Sequence, residues 1–139
     1  MSYLLDTDIL SAFHKKTIPS KLVAWLGKNE GDSFISVVSL AEMRCGLKAV
    51  PESHREELTR RIEAAEEQFA ESFIPLDLDV LIRWKQLLAE LKGVNRTMTC
   101  EDSLLGATCL AHGFVMVTNN VRHFEPVRQF GLKVENPLA

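Results

Sequence analysis

The sequence predicts an α/β fold, a mostly parallel sheet of four to five strands with helices on both faces. Three observations carry this reading. Short aliphatic or β-branched runs (YLL, SFISVV, FIPLD, FVMVT, LKVEN) alternate with longer segments of helical periodicity. Such alternation demands right-handed crossovers between parallel strands. The chain, at 139 residues, has the length of one domain, 1–139, and can bury a substantial core.

The elements follow in order. Tyr3 to Leu5 reads as a buried strand that stops at Asp6. TDILSAFHKK then spaces Ile9, Leu10 and Phe13 as one helix face. Pro19 opens a second helix, SKLVAWLGKN, with Gly27 and polar residues near its end. Ser33 to Val38 is rich in β-branched residues and reads as the second strand, with SLAEMRCGLKAV after it as a helix. From Glu52 to Ser72 charges of both signs mark a long helix with a solvated face. Phe73 to Asp77 is a short strand, and Asp77 or Asp79 caps the next helix, which carries Trp84, Leu87, Leu88 and Leu91 to about Gly93. Glu101 to His112 forms an amphipathic helix closed by Gly113 as its left-handed cap. Phe114 to Thr118 is the fourth strand and LKVEN a fifth.

Composition narrows the function. The formal charge of −3 excludes the global basic field of many nucleic-acid binders. An RNA-binding role then needs a local basic rim. Three scattered cysteines, Cys45, Cys100 and Cys109, form no C-x-x-C pair and read as free thiols of a reducing compartment. No apolar run approaches a bilayer span and no signal peptide is evident, so a cytoplasmic protein without a membrane partner is expected.

In parallel sheets ligands bind beyond the carboxyl ends of the strands. Asp6 ends the first strand there. Glu42 sits in the first turn of the helix after the second strand, Asp102 opens the helix leading to the fourth, and Thr118, Asn119 and Asn120 follow that strand. Three carboxylates gathered together repel one another unless a cation joins them. Hard oxygen ligands with room for water suit Mg²⁺ or Mn²⁺. Each acid also has an ordinary structural role open to it. Ser39-x-x-Glu42 is a capping box, Asp6 can cap the first helix, and Asp102 suits a helix N-terminus.

The motifs resemble a known family. YLLDTDILS is similar to the opening motif of PIN domains, ISVVSLAEMRCGL to their strand and Glu-bearing helix, and EDSLLGATCLAHGFVMVTNNVRHFE to their third and fourth motifs. LKVENPLA resembles the close of VapC toxins, and the order is kept from end to end. The resemblance implies a PIN-like three-layer α/β/α sandwich and a Mg²⁺- or Mn²⁺-dependent endoribonuclease. It places Asp6, Glu42, Asp102 and Asn120 as catalytic and metal-binding residues, with Thr7 and Thr118 in support. Relatives often carry Asp where Asn120 stands, and Asn where Asp8 stands, so the second ion and the role of Asp8 stay open. It also implies a VapB-like antitoxin partner with a basic side chain for the acidic pocket, an RNA substrate and a homodimer.

On that reading an ion held by Asp6 and Asp102, with help from Asn120, readies water against a phosphodiester. Glu42 holds a second ion about 3.5–4 Å away or orients the water. The products are a 5′-phosphate and a 3′-hydroxyl. Lys15, Lys16, Lys21, Arg44, Lys48, Lys92 and Arg96 are the candidates for phosphate contacts. His112 closes a helix, His123 is a surface or supporting residue, and Trp25 and Trp84 belong to the core. Two alternatives stand beside the nuclease. One is a PIN-fold module that binds without cutting. The other is a haloacid-dehalogenase-like phosphatase with Asp6 as nucleophile, although VTNN lacks the acids that class needs downstream.

Overall fold

The computed structural model describes all 139 residues. Strands β1 (Tyr3–Leu5), β2 (Ser33–Ser36), β3 (Phe73–Ile74), β4 (Val115–Val117) and β5 (Lys133–Glu135) form one sheet of order β3-β2-β1-β4-β5. Every pairing is parallel. Helices α1 (Thr7–Phe13), α2 (Ser20–Asn29), α3 (Val37–Gly46), α4 (Glu52–Gln68), α5 (Leu78–Gly93), α6 (Cys100–His112) and α7 (Val121–Arg128) make the crossovers.

The period-2 alternation of strands separates the two outer layers. Leu4 and Met116 point into one core with Leu87, Leu105, Phe124 and Val127. Their neighbours Leu5 and Val117 point into the other, with Ile9, Leu10, Leu22 and Phe69. The three-layer α/β/α arrangement follows.

Several predicted boundaries shift, each for a local reason. The second strand ends at Ser36 rather than Val38, because the Ser36 hydroxyl accepts the Val38 amide at 3.0 Å and starts α3 two residues early. Ser39 is therefore not a cap. Its Oγ is buried without a partner, and Glu42 lies in the second turn of α3. The third strand stops at Ile74, before Pro75, which has no N–H for a ladder. The charged helix α4 ends at Gln68, with Phe69 buried beneath it. Asp77 caps α5 through Val80 at 3.0 Å, and Gly113 closes α6 at φ 73. Helix α7 goes unannounced by the sequence because Pro126 stands inside it.

The order of strands fixes where a ligand belongs. From β1 the chain builds outward through β2 and β3, then returns across β1 to β4 and β5. The topological switch point is thus between β1 and β4, and the residues just beyond these two strands are Asp6 and Thr118.

Candidate functional site

Asp6 continues the sheet and starts a helix at once. Its amide donates to Val117 O at 2.8 Å, and its own extended backbone (φ −67, ψ 157) caps α1. One carboxylate oxygen, Oδ1, accepts the Thr7 amide at 2.8 Å, and Oδ2 accepts the Thr118 hydroxyl at 2.8 Å. The side chain is only 7% exposed. Burial, then the charge of Asp8, and more weakly that of Asp102, push its carboxyl from 3.8 up to about 7. The hydrogen bonds from Thr118 and Thr7 act the other way and lose.

The remaining residues gather around this carboxylate. Glu42 reaches from α3 to accept the Thr7 hydroxyl at 2.9 Å. Its carboxyl is raised by partial burial, with Glu101 and Asp102 adding like charge against the favourable bond from Thr7. Asp102 lies on the first turn of α6, where its amide donates to the Thr99 cap at 3.2 Å. Its Oδ2 lies 3.4 Å from His123 Nδ1 on α7. Thr118, fully buried, accepts the Asn120 amide at 2.9 Å through the same hydroxyl that donates to Asp6.

Asn120 is at the edge expected, but its side-chain nitrogen donates to Asp8 Oδ2 at 3.1 Å. Facing a carboxylate, an amide must present its NH₂, so only the carbonyl is left for any other role. Asp8 also accepts the Asn119 amide at 3.0 Å, while its Oδ1 is buried without a partner. Sequence reasoning left Asp8 unassigned and did not reach Glu101 or the His123 contact. The only signal available was the D-T-D spacing, which places Asp8 on the first turn of α1.

Two of the candidate basic residues are already engaged within the protein. Arg44 is engaged by Glu66 through two bonds of 2.8 and 2.9 Å, and Lys21 donates to the Ala139 carbonyl oxygen at 3.2 Å. Lys15 lines a cleft of about 270 Å³ that also includes Thr7, Glu42, His14 and Arg61. Trp25 and Trp84 are half-buried and donate to Glu135 and Ser103 at 2.9 Å each. His112 stacks on Phe114. The Cys109 thiol is pushed well above its ordinary range by burial and by Asp6, whereas Cys45 and Cys100 are exposed and free.

This arrangement is an open carboxylate cluster. No three His, Cys, Asp or Glu side chains converge into a ready-made metal cage. The cluster's donors are all oxygens, the chemistry that a hard divalent ion such as Mg²⁺ would need, and the buried Asp8 Oδ1 has no partner among them.

Thr118→Val tests the hydrogen-bond frame. It keeps the shape but strips a donor from Asp6 and an acceptor from Asn120. Stability to urea should fall by about 1–3 kcal/mol. A variant as stable as the parent would show that the hydroxyl holds nothing.

Comparison with known proteins agrees. A family model described as the PIN domain matches residues 3–128. The chain is 29% identical over 137 residues to the VapC ribonuclease Y4jK of Sinorhizobium fredii, with 96% of each chain covered. It is 29% identical over 138 residues to the tRNA(fMet)-specific endonuclease VapC of Shigella flexneri, with 98% of each covered. Among solved structures, the DNA-bound VapBC from Salmonella typhimurium matches in fold at a TM-score of 0.87 and 23% identity, over 99% of this chain and 98% of that one. A parallel sheet with acids at its switch point and a family match along nearly the whole length lead to one assignment: the chain belongs to the PIN domain family.

Proposed function

We propose that this protein is a Mg²⁺- or Mn²⁺-dependent endoribonuclease and the toxin of a VapBC-type toxin–antitoxin pair. The observation that carries the reading is the placement of Asp6, Glu42 and Asp102, just after β1, on α3 and on α6, so that the charge of Asp102 acts on both Asp6 and Glu42 beside the β1–β4 switch point. Relatives named as VapC ribonucleases, matching over nearly their full length, support the reaction class and the toxin role.

Asp6 and Asp102 would hold the ion, which when bound lowers the pKa of water and polarises a phosphoryl oxygen. The Thr7 amide and the Thr118 hydroxyl fix the Asp6 carboxylate, so it does not reorganise as charge changes. Thr7 also aims Glu42 through its hydroxyl, which suits Glu42 to orient the attacking water. His123 Nδ1 lies 3.4 Å from Asp102 Oδ2, within reach of an ion pair when the imidazole is protonated. The water oxygen bonds to phosphorus, the P–O3′ bond breaks, and a 5′-phosphate and 3′-hydroxyl result. The phosphatase alternative lacks the downstream acids its class needs, since Thr118, Asn119 and Asn120 follow β4. The binding-only alternative leaves the clustered acids without a purpose.

The test is purified protein with total RNA, in Mg²⁺ and in chelator, beside Asp102→Asn. Cleavage confined to the parent with Mg²⁺, leaving 5′-phosphate ends, is the expected result. Equal cleavage in chelator, or by Asp102→Asn, would end the proposal.

Partners follow from the same reading. An antitoxin in the manner of the VapBC complexes would lay a segment along the cleft that leads to Thr7 and Glu42, with a basic side chain among the carboxylates. The setting is the cytoplasm, where the three thiols stay reduced; no helix is long and apolar enough to cross a membrane. A second copy would cover the stripe of Leu78, Leu81, Ile82 and Leu88, which α5 exposes at 72, 38, 48 and 36%. Sedimentation should then give a dimer, and Ile82→Glu a monomer. A monomeric parent at micromolar concentration would remove the homodimer from the account.

A further inference from the structure

The structure leaves one carboxylate of the site unexplained. Asp8 lies on the first turn of α1, two residues after Asp6. Its Oδ2 is fully engaged, accepting the Asn119 amide at 3.0 Å and the Asn120 side-chain nitrogen at 3.1 Å. The other oxygen, Oδ1, is shut off from solvent and has no donor. Half a carboxylate buried without a partner is costly, and an acid on a helix's first turn normally turns its free oxygen to water. Asp8 also bears more strongly on Asp6 than Asp102 does. The chain thus keeps a second negative charge close to a buried carboxylate and gives it two neutral N–H donors but no cationic partner.

We propose that Asp8 is a further carboxylate of the divalent-ion site, with Oδ1 as its ion-facing oxygen and Asn120 as the anchor that holds it. This rests on the metal-dependent reading above and adds to it a ligand that replaces Asn120 in that role. The geometry separates the two jobs within one side chain. Two donors from the segment after β4 fix Oδ2, and so fix the carboxylate plane. What remains is a single oxygen, Oδ1, fixed by that plane and without a donor. Asn120 cannot serve equally well as a ligand, since its nitrogen is committed to Asp8 and its carbonyl carries no charge. The fourth negative charge of the site is thereby supplied from the helix after β1 rather than from the segment after β4.

The test is Mn²⁺ binding by calorimetry and by the electron paramagnetic resonance of the ion, with no RNA present. Parent, Asp6→Asn, Asp8→Asn, Asp8→Ser and the exchange variant Asp8→Asn/Asn120→Asp are compared. Circular dichroism and melting in chelator establish that each is folded. Asp8→Ser keeps an acceptor for the Asn119 amide should Asp8→Asn fold poorly. The parent should bind Mn²⁺ and gain melting temperature from it. Both single Asp8 variants should bind about 10- to 100-fold more weakly. The exchange variant, which returns the carboxylate across the same hydrogen bond, should recover most of the affinity. Parent-like Mn²⁺ binding by folded Asp8→Asn or Asp8→Ser, while Asp6→Asn loses it, overturns this inference and leaves the metal-dependent reading intact. Failure of the parent itself to bind Mn²⁺ overturns both.

Discussion

Asp6→Asn should abolish RNA cleavage while leaving the protein folded. The substitution preserves shape and removes one charge from the centre of the site. Thr7 can still donate its amide to the side-chain carbonyl, and the Thr118 hydroxyl, able to donate or accept, can turn toward the new NH₂. What cannot be replaced is the negative charge that would hold a divalent ion. If that charge contributes about 3–4 kcal/mol to the transition state, kcat/KM falls by roughly 10²–10³-fold, and by more if the ion is lost altogether. A fluorogenic RNA oligonucleotide cut by parent and variant in Mg²⁺ gives the ratio, and melting curves confirm the fold. A folded variant that cuts within threefold of the parent would remove Asp6 from the chemistry and with it the proposed mechanism.

The edge at which these acids meet was legible in the sequence because strand ends and helix starts are fixed by local rules. Asp6 follows an apolar run and Asp102 opens a periodic segment, so alternation alone sends both to the carboxyl side of the sheet. Glu42 was placed at the right edge by the start of the helix after β2, one turn too early, with a capping role as its structural alternative. Ser39-x-x-Glu42 spells a capping box, yet Ser36 is the cap, because Val38 turns into the core instead of extending β2. Freed from capping, Glu42 bonds to Thr7, a residue thirty-five positions away in the chain. Such contacts depend on the packing of α3 against α1, which no short window of sequence encodes.

The same limit explains the other differences. Asp8 and Asn120 are 112 residues apart, and only the adjacency of β1 and β4 makes them partners. His123 meets Asp102 because α7 exists, and α7 was hidden by Pro126. That helix forms despite the proline because tertiary burial outweighs local propensity: Phe124 is completely buried, and Val127 and Pro126 are buried beside it. Periodicity thus reports where backbone elements start and stop, while the pairings that tune a site come from the layers closing on each other.

The charge crowding at Asp6 has a consequence for stability that can be separated from catalysis. Without a divalent ion, folding raises this carboxyl from 3.8 to about 7, chiefly through burial and then through Asp8. Between those values the folded chain keeps a proton that the unfolded chain releases. The associated stability is therefore present in full below about pH 4 and is lost as pH rises through 7. The size is roughly 4 kcal/mol at most, at about 1.4 kcal/mol for each tenfold change in proton affinity. His14 works against this trend, because burial lowers its pKa and so costs stability as pH falls. The two effects separate by difference, since His14 is common to the parent and to Asp6→Asn. In chelator, the stability advantage of Asp6→Asn should widen between about pH 4 and 7, reach roughly 2–4 kcal/mol, and stay flat above. Mg²⁺ should then close the gap at pH 8 from the parent's side alone, adding about 2.7 kcal/mol at a hundredfold excess over its dissociation constant. Urea titrations across this range decide the matter. A gap that stays constant with pH, or an equal Mg²⁺ effect on both proteins, would mean that Asp6 is neither the group held protonated by its surroundings nor the one that an ion relieves.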